Sequence, residues 1–119
     1  MAYVDGFVVP VPKKSKQAYL RIARKMGKIC REYGALEYRE CIADDVKPGK
    51  HTSFPRSVKL KRNEVVWFSW IVYRNRKQRD SVMGKVMKDK RLSAMMNPKK
   101  MPFDGKRMFY GGFKVMVDV

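Results

Sequence analysis

The chain has 119 residues, 45% hydrophobic and 12% aromatic, with 28 Lys and Arg against 11 Asp and Glu for a formal charge of +17. That length accommodates one domain, residues 1–119, and is too short for two, while the apolar content excludes a disordered chain. The charge draws polyanions such as nucleic acid, more strongly at low salt, and the apolar runs are too short for a membrane span or a signal peptide, so a cytoplasmic protein with no membrane partner is expected.

Taken in chain order, "YVDGFVVPV" alternates and predicts a strand from Tyr3 to Val9, closed by Pro10 and Pro12. Ser15 is placed to cap a helix over "KQAYLRIARKMGKICREYG", with Tyr19, Ile22, Ala23, Met26, Ile29, Cys30 and Tyr33 on its core side and Gly34 ending it. Lys13, Lys14, Arg21, Arg24, Lys25, Lys28 and Arg31 gather on the opposite side. Ordinary solvated helices mix charge signs, so this face, together with Arg74, Arg76 and Lys77, is the candidate polyanion-binding surface. Leu20 falls among these cations, about 120° from the centre of the core stripe, a position suited to contact with another chain.

A second strand follows in "ALEYRECIAD", with Leu36, Tyr38, Glu40 and Ile42 on one face. A long polar connection leads to "EVVWFSWIVY", a dense apolar strand. Asn75 can cap a second helix through "RKQRDSVMGKVMKDK", with Val82, Met83, Val86 and Met87 as its apolar side. "RLSAMMNPKK" reads as a turn, and "KRMFYGGFKVMVDV" as the last strand. The order strand, helix, strand, strand, helix, strand predicts an α+β ferredoxin-like βαββαβ domain, both helices on one sheet face. The other face is left open, and Tyr38, Trp67, Trp70, Phe109 and Phe113 are its aromatic candidates.

The segment "MPFDGKRMFYGGF" invites three functional readings. A phosphate loop is excluded because "FDGK" lacks the required glycine spacing and precedes a strand instead of a helix. An RNA-recognition strand is disfavoured because that motif belongs on the third strand, and here the third strand has no glycine. What is left is a tight turn at Asp104-Gly105 and a bulge or close backbone approach at Gly111-Gly112.

"YVDGFVVPVP", "YGALEYRECIADDV", "VVWFSWIVY" and "MPFDGKRMFYGGF", in that order along nearly the whole chain, closely resemble the YbaA-like family of small bacterial proteins of unknown function. The resemblance implies a dimeric α/β barrel, two ferredoxin-like sheets packed face to face, which makes the five aromatic residues above the candidate dimer face. It implies no activity and no catalytic residues. Against the family pattern, Lys90, Asn97 and Arg62-Asn63 stand where proline or acids are usual. These departures lead to the expectation of an engineered, positively charged homodimeric scaffold, a building block that assembles with a second designed protein component. Leu20, Met83, Met87, Met95 and Met96 are the candidate assembly interface. The alternatives are sequence-independent RNA binding or packaging, and a small-molecule-binding or monooxygenase-like enzyme with its ligand in the barrel.

Asp5, Glu40, Asp104, His51, Ser69 and Tyr110 are available for chemistry but form no catalytic signature. Cys30 and Cys41 lack a Cys-x-x-Cys spacing and His51 has no companion, so no metal and no cofactor are expected, only two reduced thiols.

Overall fold

The computed structural model describes residues 2–97 and 99–119; Pro98, within the segment read as a turn, lies outside them. Four strands, β1 (Tyr3–Pro12), β2 (Glu37–Ile42), β3 (Glu64–Tyr73) and β4 (Phe109–Lys114), form one antiparallel sheet in the order β2-β3-β1-β4. Helix α1 (Lys16–Glu32) joins β1 to β2, and α3 (Arg76–Lys88) with α4 (Lys90–Met95) lies between β3 and β4. This is the ferredoxin-like arrangement expected from the element order.

Pro10 and Pro12 do not end β1, which pairs with β3 through Pro12↔Glu64. The reason is the sheet's outline: β4 pairs only with Tyr3 to Val8, so beyond Val8 one side of β1 is an edge. Alternate residues there need no N–H donor, and prolines two apart satisfy that. The "RLSAMM" stretch is a helix and not a turn, because the Asp89 side chain accepts the Arg91 backbone N–H at 2.8 Å and starts a new turn that buries Leu92. Asn75 caps α3 as anticipated, accepting the Gln78 N–H at 2.8 Å. Ser15 occupies the N-cap of α1 without a side-chain bond, following a 3-10 turn at Lys13–Ser15.

The core lies between the sheet and the helices. One cluster joins Tyr3, Ile71 and Tyr73 of the sheet to Ile29, Cys30, Val82, Val86 and Leu92, and a second joins Val9, Val11 and Trp67 to Tyr19 and Ala23. The opposite sheet face is not wholly open. The polar connection contains a short helix, α2 (Phe54–Ser57), capped by Ser53, and Val58, Leu60 and Ala43 pack there on Val8 and Val66. Beyond that cap, Phe68, Trp70, Phe109 and Phe113 surround the register pair Gly6↔Gly111. A Cβ on Gly6 would meet nothing, so the two glycines leave a shallow depression in the exposed aromatic surface.

The glycine pair in β4 is a close approach, not a bulge, since pairing with β1 continues without interruption from Val8↔Phe109 to Tyr3↔Lys114. Gly112 lies under the Tyr3 ring, and a Cβ there would collide with the Tyr3 hydroxyl and, at 2.7 Å, with its Cε2.

Candidate functional site

Alternation on the strands sends Phe7 and Val9, Tyr38 and Glu40, and Ser69 and Ile71 toward the helices. Tyr19, Ile22, Ala23 and Met26 recur at helical spacing on α1 and face them. Between the two layers is an apolar cavity of about 150 Å³, bordered by Met96, Phe103 and Met108 from the segment before β4. The aromatic wall is tightly built: Tyr19 packs at 4.9 Å on Trp67 and edge-on at 5.7 Å to Phe103.

One carboxyl group enters this apolar space. Glu40 accepts the Tyr19 hydroxyl on Oε2 and the Tyr38 hydroxyl on Oε1, each at 2.9 Å. Ser69, its partner across the strand pair, places a third hydroxyl beside it. Burial raises the Glu40 pKa above the ordinary glutamate value, and the three hydroxyls offset part of that rise. No cation shares the site among the described residues; the groups acting on Glu40 are its burial and those hydroxyls. The same burial, reinforced by the Glu40 charge, raises both tyrosines and keeps them neutral donors. Tyr38 reaches its place because α1 has glycine opposite: a Cβ on Gly27 would lie 2.8 Å from the Tyr38 ring. On its outer side Glu40 borders an open groove lined by Arg24, Lys28 and Arg31.

Other polar groups serve the fold. Asp5, 3% exposed, accepts the Tyr73 hydroxyl and an Arg79 N–H, both at 3.0 Å, and the Arg79 guanidinium lies over the Tyr3 ring. Burial pushes the neighbouring Cys30 thiol up to about 11. His51 is exposed, Asp104 binds Arg107, and Tyr110 stacks on Phe7 at the sheet edge. No metal-binding group of His, Cys, Asp and Glu occurs among the described residues.

The five aromatic residues assigned to the open face divide. Trp70, Phe109 and Phe113 lie on it, whereas Tyr38 and Trp67 point at the helices, Tyr38 into the cavity and Trp67, 3% exposed, into the core. Their strand parity decides this. Leu20, Met83 and Met95 of the expected assembly surface are half-buried against the core clusters; Met96 lines the cavity with 40% of its surface exposed, and Met87 stands furthest out at 65%. Lys13, Lys14, Arg21, Arg24, Lys25, Lys28, Arg31, Arg74, Arg76 and Lys77 are all exposed. Arg31 turns back to the Ala35 and Leu36 carbonyls, and Arg76 lies 4.0 Å from Asp80.

Sequence reasoning named Glu40 and Ser69 as available groups but missed their union with Tyr19, Tyr38 and the methionine-rich border. The Tyr38-x-Glu40 alternation was the only visible signal; Tyr19 joins from a different element.

A family model described as a protein of unknown function, DUF1428, matches residues 2–105. The chain is 48% identical over 118 residues to the uncharacterized protein YbaA of Escherichia coli K12 and to that of Shigella flexneri, covering 99% of each chain. Two solved structures share the fold at a TM-score of 0.60. One is an uncharacterized NIPSNAP domain protein from Burkholderia xenovorans, 16% identical, with 95% of this chain and 93% of that one covered. The other is a dimeric ferredoxin-like protein from an uncultured marine organism, 8% identical and covered over the full length of both. No helix among the described residues is long and apolar enough to cross a membrane.

Proposed function

The chain belongs to the DUF1428 family, whose function is unknown, and we propose that it is a small-molecule-binding protein that works as a homodimer, each subunit holding its ligand between α1 and the sheet. The observation that carries this reading is the cavity with a single carboxyl group in an otherwise apolar wall. Core packing normally leaves no space of this size, and a half-buried carboxyl with no cation hydrogen-bonded to it is costly to keep. Both features have a purpose if a ligand completes the packing and the hydrogen bonding. The ligand site lies on the helix side of the sheet, not in the space two facing sheets would enclose.

Dimerisation is supported by the opposite face. Phe109 is 46%, Phe113 65% and Phe68 42% exposed around the Gly6–Gly111 depression, an apolar surface whose aromatic side chains could seat in the same depression of a second copy. The ferredoxin-like neighbour described as dimeric favours the same reading.

The test combines two measurements. Small apolar molecules such as toluene are expected to raise the melting temperature and to change the tyrosine and tryptophan fluorescence; no response to any of them would sink the ligand reading. Light-scattering mass is expected to be twice the 14.0 kDa subunit at low and high salt. It should fall to a monomer in Phe113→Glu, and a monomeric parent chain would sink the dimer.

A further inference from the structure

Resting on the reading of the cavity as a ligand site, we propose that it takes a neutral, single-ring molecule carrying one hydroxyl group, a phenol-type ligand whose O–H donates to Glu40. Size sets the first limit. At about 150 Å³ the cavity matches the apolar cavities that hold one benzene ring, so one ring with a small substituent fills it. The lining sets the second. Phe7, Tyr19, Tyr38 and Phe103 offer ring faces and edges, and Met26 and Met108 offer polarizable thioethers that adjust to a flat guest.

The hydrogen-bond count sets the third limit. A carboxylate has roughly four acceptor positions, and the Tyr19 and Tyr38 hydroxyls occupy two at Glu40, with Ser69 beside it across the strand pair. The vacancy requires a donor. An anionic ligand would be repelled by Glu40. An ammonium ligand would have to enter a chain of charge +17 past the Arg24, Lys28 and Arg31 groove that borders the same carboxyl. A neutral hydroxyl meets neither obstacle. A phenol O–H would join two tyrosine hydroxyls on the same acceptor, the donor chemistry the site already holds.

The test measures Kd by calorimetry for toluene, phenol, cyclohexanol and benzylamine, which differ in ring character, hydroxyl and charge at similar size. Phenol is expected to bind about tenfold tighter than toluene, the effect of one hydrogen bond to a charged acceptor, and tighter than cyclohexanol. In Glu40→Gln the preference for phenol over toluene should shrink severalfold while toluene binding persists. In Ala23→Leu, which fills the cavity from α1, all of the ligands should be lost, placing the binding there. Equal binding of phenol and toluene, or tightest binding of benzylamine, would overturn the neutral-hydroxyl assignment and leave the ligand site standing. If none of the four binds the parent chain, the ligand site itself falls.

Discussion

Arg107 grips Glu64 with two parallel hydrogen bonds, Nη1 to Oε1 at 2.7 Å and Nη2 to Oε2 at 2.6 Å. Its Nε binds Asp104 at 3.0 Å and Nη1 also reaches the Val58 and Lys59 carbonyls. Glu64 opens β3 and Asp104 opens the turn before β4, so one guanidinium ties the segment that borders the cavity to the sheet and to the α2 connection. That is what the "FDGKR" sequence does: Asp104 shapes the turn by accepting the Lys106 N–H, and Arg107 clamps.

Arg107→Ala should therefore destabilise the chain by about 3 kcal/mol, since Glu64, 7% exposed, would keep its burial and lose its partner. The Arg107 bonds hold the Glu64 carboxyl below its ordinary 4.5. A depressed carboxyl contributes stability above 4.5 and loses it as the pH falls through the folded value. Urea melts of the two chains should then differ most near neutral pH and converge on acidification; a constant gap would contradict the clamp.

Glu40 has the opposite sign. Its folded pKa is raised by burial, so from 4.5 up to that value the folded chain binds more protons than the unfolded one, and stability declines as the pH rises through this window. Glu40→Gln does not titrate and keeps the shape. Its melting temperature relative to the parent should rise steadily from below pH 4.5 toward neutrality, and a pH-independent difference would show that Glu40 is not desolvated.

Gly112→Ala should cost about 1–3 kcal/mol by overpacking, because the new methyl would meet the buried Tyr3 ring that also supports Arg79. Gly6→Ala on the neighbouring strand meets nothing within its own subunit and serves as the control when both changes are made in the monomeric Phe113→Glu background, with only a small change expected in the same denaturant melt. Equal losses in both would place the effect in β-propensity instead of contact.

Arg79→Met removes the cation that faces Asp5, whereas Asp5→Asn removes the buried charge itself. The single Arg79→Met change should be the more damaging, and adding Asp5→Asn to it should restore part of the loss in a double-mutant cycle. Strict additivity would mean that the pair does not interact.

Much of the fold was legible in the chain. The β3 segment "EVVWFSWIVY" is bounded as its apolar run suggests, Gly34 ends the α1 turn with φ +116°, and Asn75 caps α3. These features depend on neighbours within a few residues. The extent of β1 depends on something not local, where β4 stops beside it, and α4 combines a local cap at Asp89 with a burial of Leu92 against Val82 and Val86 that the linear chain does not display.

The sequence by itself determined the element order, the strand alternation, the basic exposed side of α1 and the membership in the YbaA-like group, because periodicity, charge and motif order are properties of the linear chain. Only the tertiary structure decided which aromatics face solvent and which face the helices. Strand alternation defines two faces but does not say which one a helix will cover, and the covered face received Tyr38 and Trp67 while Phe68, Trp70, Phe109 and Phe113 were left outside. The same packing brought Tyr19 across from α1 to Glu40, twenty-one residues away in the chain, and left the cavity around them. A hydrogen bond between a helix and a strand needs both faces to be chosen first, and that choice is made by burial of the whole core.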